Sequence, residues 1–275
     1  FDCGTLEIPT LEDLRISATE IANESTERTT LTQVVGNVQN LHAAAENRRA
    51  MFQVASQFNL LEMAAPDAVP EDGIGIYEHD YTQGPACAIA AGAGTVYRNY
   101  LVPLKNQIGQ STERQIDCLA DIGKSLDNES QQLWKMQNGY AFASSAGLSI
   151  IAEHLSNLDT TSIDSLRSKL RVGIMWNTEV TVGKSANNSS PTSNMGSQPA
   201  SLVSQIYCSA VPVSYSPEPA SAWEPLARLI LEATYEATFR AAVLNKARNG
   251  SNILFLTMIG GGAFGNQPEW IIDAI

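Results

Sequence analysis

Asn252-Ile-Leu-Phe-Leu-Thr-Met-Ile-Gly-Gly-Gly-Ala-Phe-Gly-Asn266 is the stretch on which the fold turns. The apolar run Ile253–Ile259, bounded by turn formers, predicts a buried strand. Four glycines within Gly260–Gly265 predict a loop after it. Pro268 then predicts a helix start, because a first helical turn has no partner for the N–H that proline lacks. A glycine-rich loop between strand and helix turns several backbone N–H groups toward one point, which suits a phosphate or diphosphate. A plain tight turn rich in glycine fits the same residues, so the rest of the chain has to decide.

Working outward, 275 residues suffice for one large domain with a substantial core. Hydrophobic residues make up 44% and charged residues 17%, and no apolar run approaches the length of a membrane span. A net charge of −12 argues against a nucleic-acid partner, which needs clustered Lys and Arg. It still permits one small anion held by backbone amides. Cys3, Cys87, Cys118 and Cys208 are scattered without a CxxC pair, as in a cytoplasmic protein with reduced thiols. His42, His79 and His154 lack metal-ligand spacing, so neither a metal nor a cofactor is expected.

Helical periodicity runs through residues 11–50, with a Ser/Thr-rich break near Ser25–Thr30. Met51–Ser56 reads as a short strand and Gln57–Gly75 as a long loop. Ala86–Gly94 is small and glycine-punctuated, fit for a packed helix start. Helical spacing returns over Ser111–Trp134 (Ile116, Leu119, Ile122, Leu126, Leu133). Gly139–Ala143 reads as a strand, Ser149–Leu158 as a helix, and Leu170–Val182 as two strands or a hairpin. Gly183–Gln198 is a polar loop, Val203–Ser214 a buried strand, and Trp223–Lys246 the clearest helix. Strands alternating with helices predict an α/β fold with a mixed sheet, in one domain without internal repeats. Ligands of such folds sit at the carboxyl ends of the strands, beside the loops after Met51–Ser56 and Ile253–Ile259.

The early strand with its loop and the late Gly-Gly-Gly-Ala-Phe-Gly-Asn resemble the macrodomain superfamily, which binds ADP-ribose, and most nearly its poly(ADP-ribose) glycohydrolase branch. Phe52-Gln-Val-Ala-Ser-Gln-Phe-Asn-Leu-Leu-Glu62, Thr82-Gln-Gly-Pro-Ala-Cys-Ala88 and Ile206-Tyr-Cys-Ser-Ala-Val-Pro212 are similar to the MavL-like group, known from a bacterial effector that removes ADP-ribose from modified ubiquitin. The resemblance spans residues 50–103 and 203–275. It implies a macrodomain-like three-layer α/β/α sandwich over residues 1–275, with 1–50 a helical N-terminal extension. It also implies an ADP-ribosyl hydrolase acting on ADP-ribosylated protein, ubiquitin being one candidate, with a non-catalytic ADP-ribose reader as the alternative. Two departures stand out. Asn59-Leu60-Leu61-Glu62 lacks the triple glycine of the glycohydrolase signature. Gln83-Gly84-Pro85 occupies the place of its paired glutamates, so the acid must come from elsewhere.

Candidate catalytic residues follow from that gap. Cleaving a glycosidic bond to ribose builds positive charge at the anomeric carbon, which a carboxylate stabilises while it activates water or protonates the leaving group. The acidic loop Glu71, Asp72, Glu78, Asp80 offers such groups, with Asp72 and Asp80 over the distal ribose by the resemblance, or else forms a solvated face. Glu62 is a third candidate, on ribose hydroxyls. Gly260, Gly261, Gly262, Ala263, Gly265 and Asn266 wrap the diphosphate in the resemblance, and Phe264 lies against the distal ribose. Asn59 holds that ribose, and Gln53 contacts the adenine or is a surface amide. Arg98 pairs with a phosphate or with a structural carboxylate. Trp176, Trp223 and Trp270 fill the core.

Overall fold

The computed structural model describes residues 1–21, 29–182 and 200–275. The expected loop Gly183–Gln198, and most of the Ser25–Thr30 break, lie outside the described residues. Five strands form the main sheet: β1 (Thr5–Glu7), β2 (Met51–Ala55), β7 (Gly173–Glu179), β8 (Leu202–Cys208) and β9 (Leu254–Phe255), in the order β1-β7-β8-β2-β9. β2 is parallel to both β8 and β9, whereas β7 is antiparallel to β8 and β1 to β7. Two hairpins stand outside this sheet, β3 (Pro103–Leu104) with β4 (Gln107–Ile108) and β5 (Trp134–Gln137) with β6 (Tyr140–Ala143). The helices are α1 (Leu11–Ile21), α2 (Val38–Ala43), α3 (Gln83–Ala90), α4 (Gly92–Val96), α5 (Ala120–Ser125), α6 (Ser145–Ser156), α7 (Thr160–Arg167), α8 (Ala220–Asn249) and α9 (Pro268–Ala274).

The mixed sheet lies between two helical layers, as the three-layer α/β/α expectation has it. On one side α8 packs on β2 and β8 and carries α1, α6, α7 and α9; on the other, α3 and α4 pack on β2 and β7 with α2 beside α3. Alternation along the strands explains the division. Gln53 and Cys208 reach Thr238 on α8, while Phe52 meets His42 on α2. α8 buries Trp223, Leu226, Ile230, Ala233, Ala237 and Ala241 on the stripe that its sequence shows. It ends at Gly250, whose φ of 78° makes the left-handed cap that glycine permits. Trp176, Trp223 and Trp270 are buried, as expected. No helix among the described residues is long and apolar enough to cross a membrane.

Several elements differ from the sequence reading. The N-terminal stretch is not wholly helical: Thr5–Glu7 joins the sheet as an edge strand, and Leu31 and Val34 are exposed outside any helix. α2 starts only where Asn37 caps it, accepting from the Gln39 and Asn40 amides. Over Ser111–Trp134 only α5 and one 3₁₀ turn form, because Asp127 and Gln131 take left-handed backbone (φ 56° and 55°). The helical spacing there arises from a winding segment that buries Ile116, Leu119, Ile122, Leu126 and Leu133 in succession. Leu170–Val182 is one strand, bent by a register shift between Met175 and Thr178 where Asn177 has φ 55°. The late strand keeps only Leu254–Phe255 of the seven residues expected.

Candidate functional site

β2, β8 and β9 end on the same side, and beyond their carboxyl ends lies a cavity of about 250 Å³. Its floor comes from Ala55, Ser56, Cys208 and Ala210 at the strand ends and from Glu62 on the loop after β2. Met63 borders it from the loop after β2, Thr82, Gln83 and Pro85 from the start of α3, and Gly260, Gly262, Ala263 and Phe264 from the glycine loop. The four stretches that carry the resemblance all contribute to this lining.

Gln83 explains why β9 is short. Its side-chain amide accepts from the Ala55 N–H at 2.9 Å and donates to the Gln53 carbonyl at 2.8 Å, the two β2 groups that a longer β9 would have paired. The Thr257 N–H, displaced from that ladder, bonds the Gln53 side-chain oxygen at 3.1 Å. The chain after Phe255 thus leaves the sheet, and the gap becomes the cavity. Gly84 follows because any side chain there would overlap the Ala55 carbonyl.

The glycine loop is shaped from within. Asn266 N–H bonds the Gly260 carbonyl at 2.9 Å, and its side-chain amide bonds the Val211 carbonyl at 2.8 Å. Gly261 N–H bonds Met258, Gly265 N–H bonds Gly262, and the Phe264 carbonyl accepts from Ser214. Gly260 and Gly265 take φ of 74° and 70°. The N–H groups of Gly260, Gly262, Ala263 and Phe264 have no acceptor among the described residues. Three of the four carbonyl-free donors sit in the turn Gly262–Phe264 beside the cavity. Among the described residues no Lys, Arg or His lines that cavity, so an anion there would rest on backbone amides and neutral side-chain donors.

An aromatic wall closes one side. The Phe264 ring lies 5.2 Å from Tyr140 and 5.8 Å from Tyr215, and the two tyrosines are 5.4 Å apart. The Tyr140 hydroxyl donates to the Met63 carbonyl at 2.9 Å. Burial, then the neighbouring Tyr215 and Asp80, raise the Tyr140 pKa, so its hydroxyl stays protonated. Sequence reading missed Tyr140 and Tyr215. The first sits in a hairpin outside the main sheet, and no local pattern says which way such a hairpin leans.

The candidate residues separate. Asp80 borders the cavity, its carboxylate accepting from the Thr82 N–H at 2.8 Å. Asp72 does not: it accepts from the Val69 N–H at 2.9 Å, closing a 3₁₀ turn at Pro70–Asp72. Glu71 binds Thr112 and Glu78 meets His79, so the acidic cluster disperses over the surface. Glu62 borders the cavity, but its side chain has no exposure and pairs with Arg98 at 3.0 Å. Burial pushes its carboxyl pKa up against the opposing pull of Arg98. The structure therefore places Glu62 in the cavity lining with its carboxylate held by Arg98 rather than free in solvent. Arg98 takes the structural role of its two readings.

Gln53 and Asn59 are likewise displaced from ligand roles. Gln53 is 1% exposed, donates to Thr238 at 2.9 Å and accepts from Thr257, which ties the sheet to α8. Asn59 is fully buried, accepting from Leu61 N–H at 3.0 Å and donating to Gln115 at 2.8 Å to shape its own loop. Of the glycine loop, Gly261, Gly265 and Asn266 are outside the lining and bond the lining residues Met258, Gly262 and Gly260. Among the described residues no group of three or more His, Cys, Asp or Glu is placed to hold a metal ion. Comparison of the chain with protein-family models, with curated proteins and with solved structures finds no match.

Proposed function

We propose that this cavity binds ADP-ribose attached to a protein side chain and hydrolyses the bond between the ribose and that side chain. One observation carries the reading. Unpaired backbone amides of the glycine loop, an aromatic wall and an accessible carboxylate, Asp80, border one cavity at the strand ends. Amides without acceptors suit a diphosphate. The Tyr140, Tyr215 and Phe264 faces suit a ribose ring. A cavity of about 250 Å³ falls below the ~300–1,000 Å³ usual for whole ligands, so it takes the diphosphate and distal ribose and leaves the adenosine toward the rim. Asp80 takes a proton from water as the water oxygen bonds the anomeric carbon; the bond to the side chain breaks, and the proton held by Asp80 passes to the leaving group. Four unbridged cysteines fit a cytoplasmic setting. An ADP-ribosylated protein such as ubiquitin is the substrate class that the motif resemblance suggests.

A second reading, a reader that binds without turnover, is favoured by the pairing of Glu62 with Arg98, which ties up the other carboxylate of the cavity lining. Incubation with an ADP-ribosylated protein decides between them. Free ADP-ribose released over time supports the hydrolase. Calorimetric binding of ADP-ribose without release supports the reader, and no heat at millimolar ADP-ribose rejects both.

A further inference from the structure

A continuous set of buried contacts runs from a histidine on the far side of α3 to the floor of the cavity. His42, on α2, is fully buried and stacked on Phe52, ring centroids 3.7 Å apart. Its Nδ1 lies 2.7 Å from the Val38 carbonyl, which only accepts, so Nδ1 carries the hydrogen. Nε2 of the neutral ring is then an acceptor, and Gln205 Nε2 donates to it at 3.0 Å. The other hydrogen of that amide goes to the Cys87 carbonyl at 2.9 Å, and Gln205 Oε1 accepts from the Tyr207 hydroxyl at 2.7 Å. The Tyr207 ring carries the Arg98 guanidinium 3.8 Å from its centre. Arg98 bonds the Leu60 carbonyl and the Glu62 carboxylate, and donates to Thr95 at 3.1 Å.

Both ends of this set are unusual. Arg98 lies in a single π-helical turn, Tyr97–Leu101, an irregularity common at functional sites. Leu60 holds left-handed backbone at φ 65°, a conformation that strains a residue with a side chain. Arg98 thus fastens a strained turn, and that turn leads directly into Glu62 and Met63 at the cavity. Protonating His42 would set an N–H against the N–H of Gln205. Turning the Gln205 amide over relieves that clash, but it aims an oxygen at the Cys87 carbonyl and reverses the bond with Tyr207, whose hydroxyl would then accept instead of donate. Either way the relay changes state.

We propose that His42 is a positioning residue for the cavity: its neutral ring holds Gln205, Tyr207 and Arg98 in the arrangement that fastens Leu60–Met63, and protonation releases that floor. The consequence for ligand binding rests on the function proposed above. The groups facing His42 are the Val38 carbonyl on its own helix, the Phe52 ring from β2, Gln205 from β8, and Cys87 from α3, whose buried thiol is held protonated. No charged side chain among the described residues contributes to its titration. Burial lowers its pKa to about 4, partly offset by the Val38 carbonyl.

The test is an NMR titration of the whole chain from about pH 7.5 to about pH 4, with ADP-ribose affinity followed in parallel. The expected result is that the amides of Leu61, Glu62 and Met63 and the Arg98 Nε–H shift with the same midpoint as the His42 ring. The Trp134–Ala143 hairpin stays still, and affinity falls about twofold at the point where half the rings are protonated. In His42→Gln, which keeps an acceptor but does not titrate, those shifts disappear. The proposal is overturned if the floor stays still while His42 titrates, if the shifts persist in His42→Gln, or if the hairpin moves with them as in global unfolding. Floor shifts that track His42 in a protein that binds no ADP-ribose would keep the relay and reject the ligand. Should His42→Gln not fold, the wild-type titration, with its hairpin control, decides alone.

Discussion

Glu62 and Arg98 form an ion pair 3.0 Å long whose side chains have no solvent exposure, with Glu62 at the floor of the cavity. Such a pair gives little net stability, but removing one partner strands a buried charge. Arg98→Met is expected to lower stability by about 3 to 5 kcal/mol, read from the denaturant midpoint. Arg98→Met with Glu62→Gln should recover a large part of that loss. If the double variant is no more stable than the single one, Arg98 acts through Leu60 and Tyr207 rather than through Glu62.

Asp80 and Asp72 separate by one measurement. Asn keeps the Oδ1 that accepts from Thr82 N–H, so Asp80→Asn should fold and bind ADP-ribose while turnover falls by about 10²–10⁴-fold. Asp72→Asn keeps the acceptor for Val69 N–H outside the cavity and should hydrolyse like wild type. Equal losses in both variants would place the acid outside the cavity.

Glycines in the loop should differ by position. A methyl at Gly265 would overlap Ser214 Oγ, and one at Gly260 the Ala210 methyl, each on left-handed backbone. Alanine at either should cost more than about 1–2 kcal/mol from the backbone alone. Gly262 borders the cavity and a methyl there meets no atom within 4 Å. Gly262→Ala should therefore melt near the wild-type temperature yet bind ADP-ribose more weakly, and unchanged affinity would remove the turn from the binding site.

Acid sensitivity should report His42. Its pKa is lowered to about 4 in the fold against 6.5 ordinarily, so between these values the unfolded chain binds the extra proton. Stability from this group is complete above pH 6.5 and is lost as pH falls toward 4, amounting to about 3 kcal/mol at most. Denaturant melts across this window should show the slope in wild type and a shallower one in His42→Gln.

What the sequence revealed depended on whether the cause was local. The α8 stripe, the β2 run and the Pro268 helix start were legible because spacing and capping act within a few residues. The glycine loop was legible as a loop, but its meeting with Thr82–Pro85 and Cys208–Ala210 around one cavity was not. Long-range causes were not. Nothing near Leu256 announces that Gln83, far back in the chain, takes the ladder positions and ends β9. Gln53 and Gln83 are the same residue type near the same strand end, yet one ties α8 to the sheet and the other faces the cavity. Asp72 and Asp80 share one acidic loop, and only the turn around Pro70 separates the cap from the cavity.

The Gln83 amide has one more effect. Past Phe52, the open side of β2 would be a docking rail on which any extended peptide could lie as an extra strand. By occupying the Ala55 N–H and the Gln53 carbonyl, a single side chain caps that rail at the cavity mouth. Under the function proposed above, a protein substrate at this mouth would find these two main-chain groups already paired, and its recognition would rest on the modification it carries.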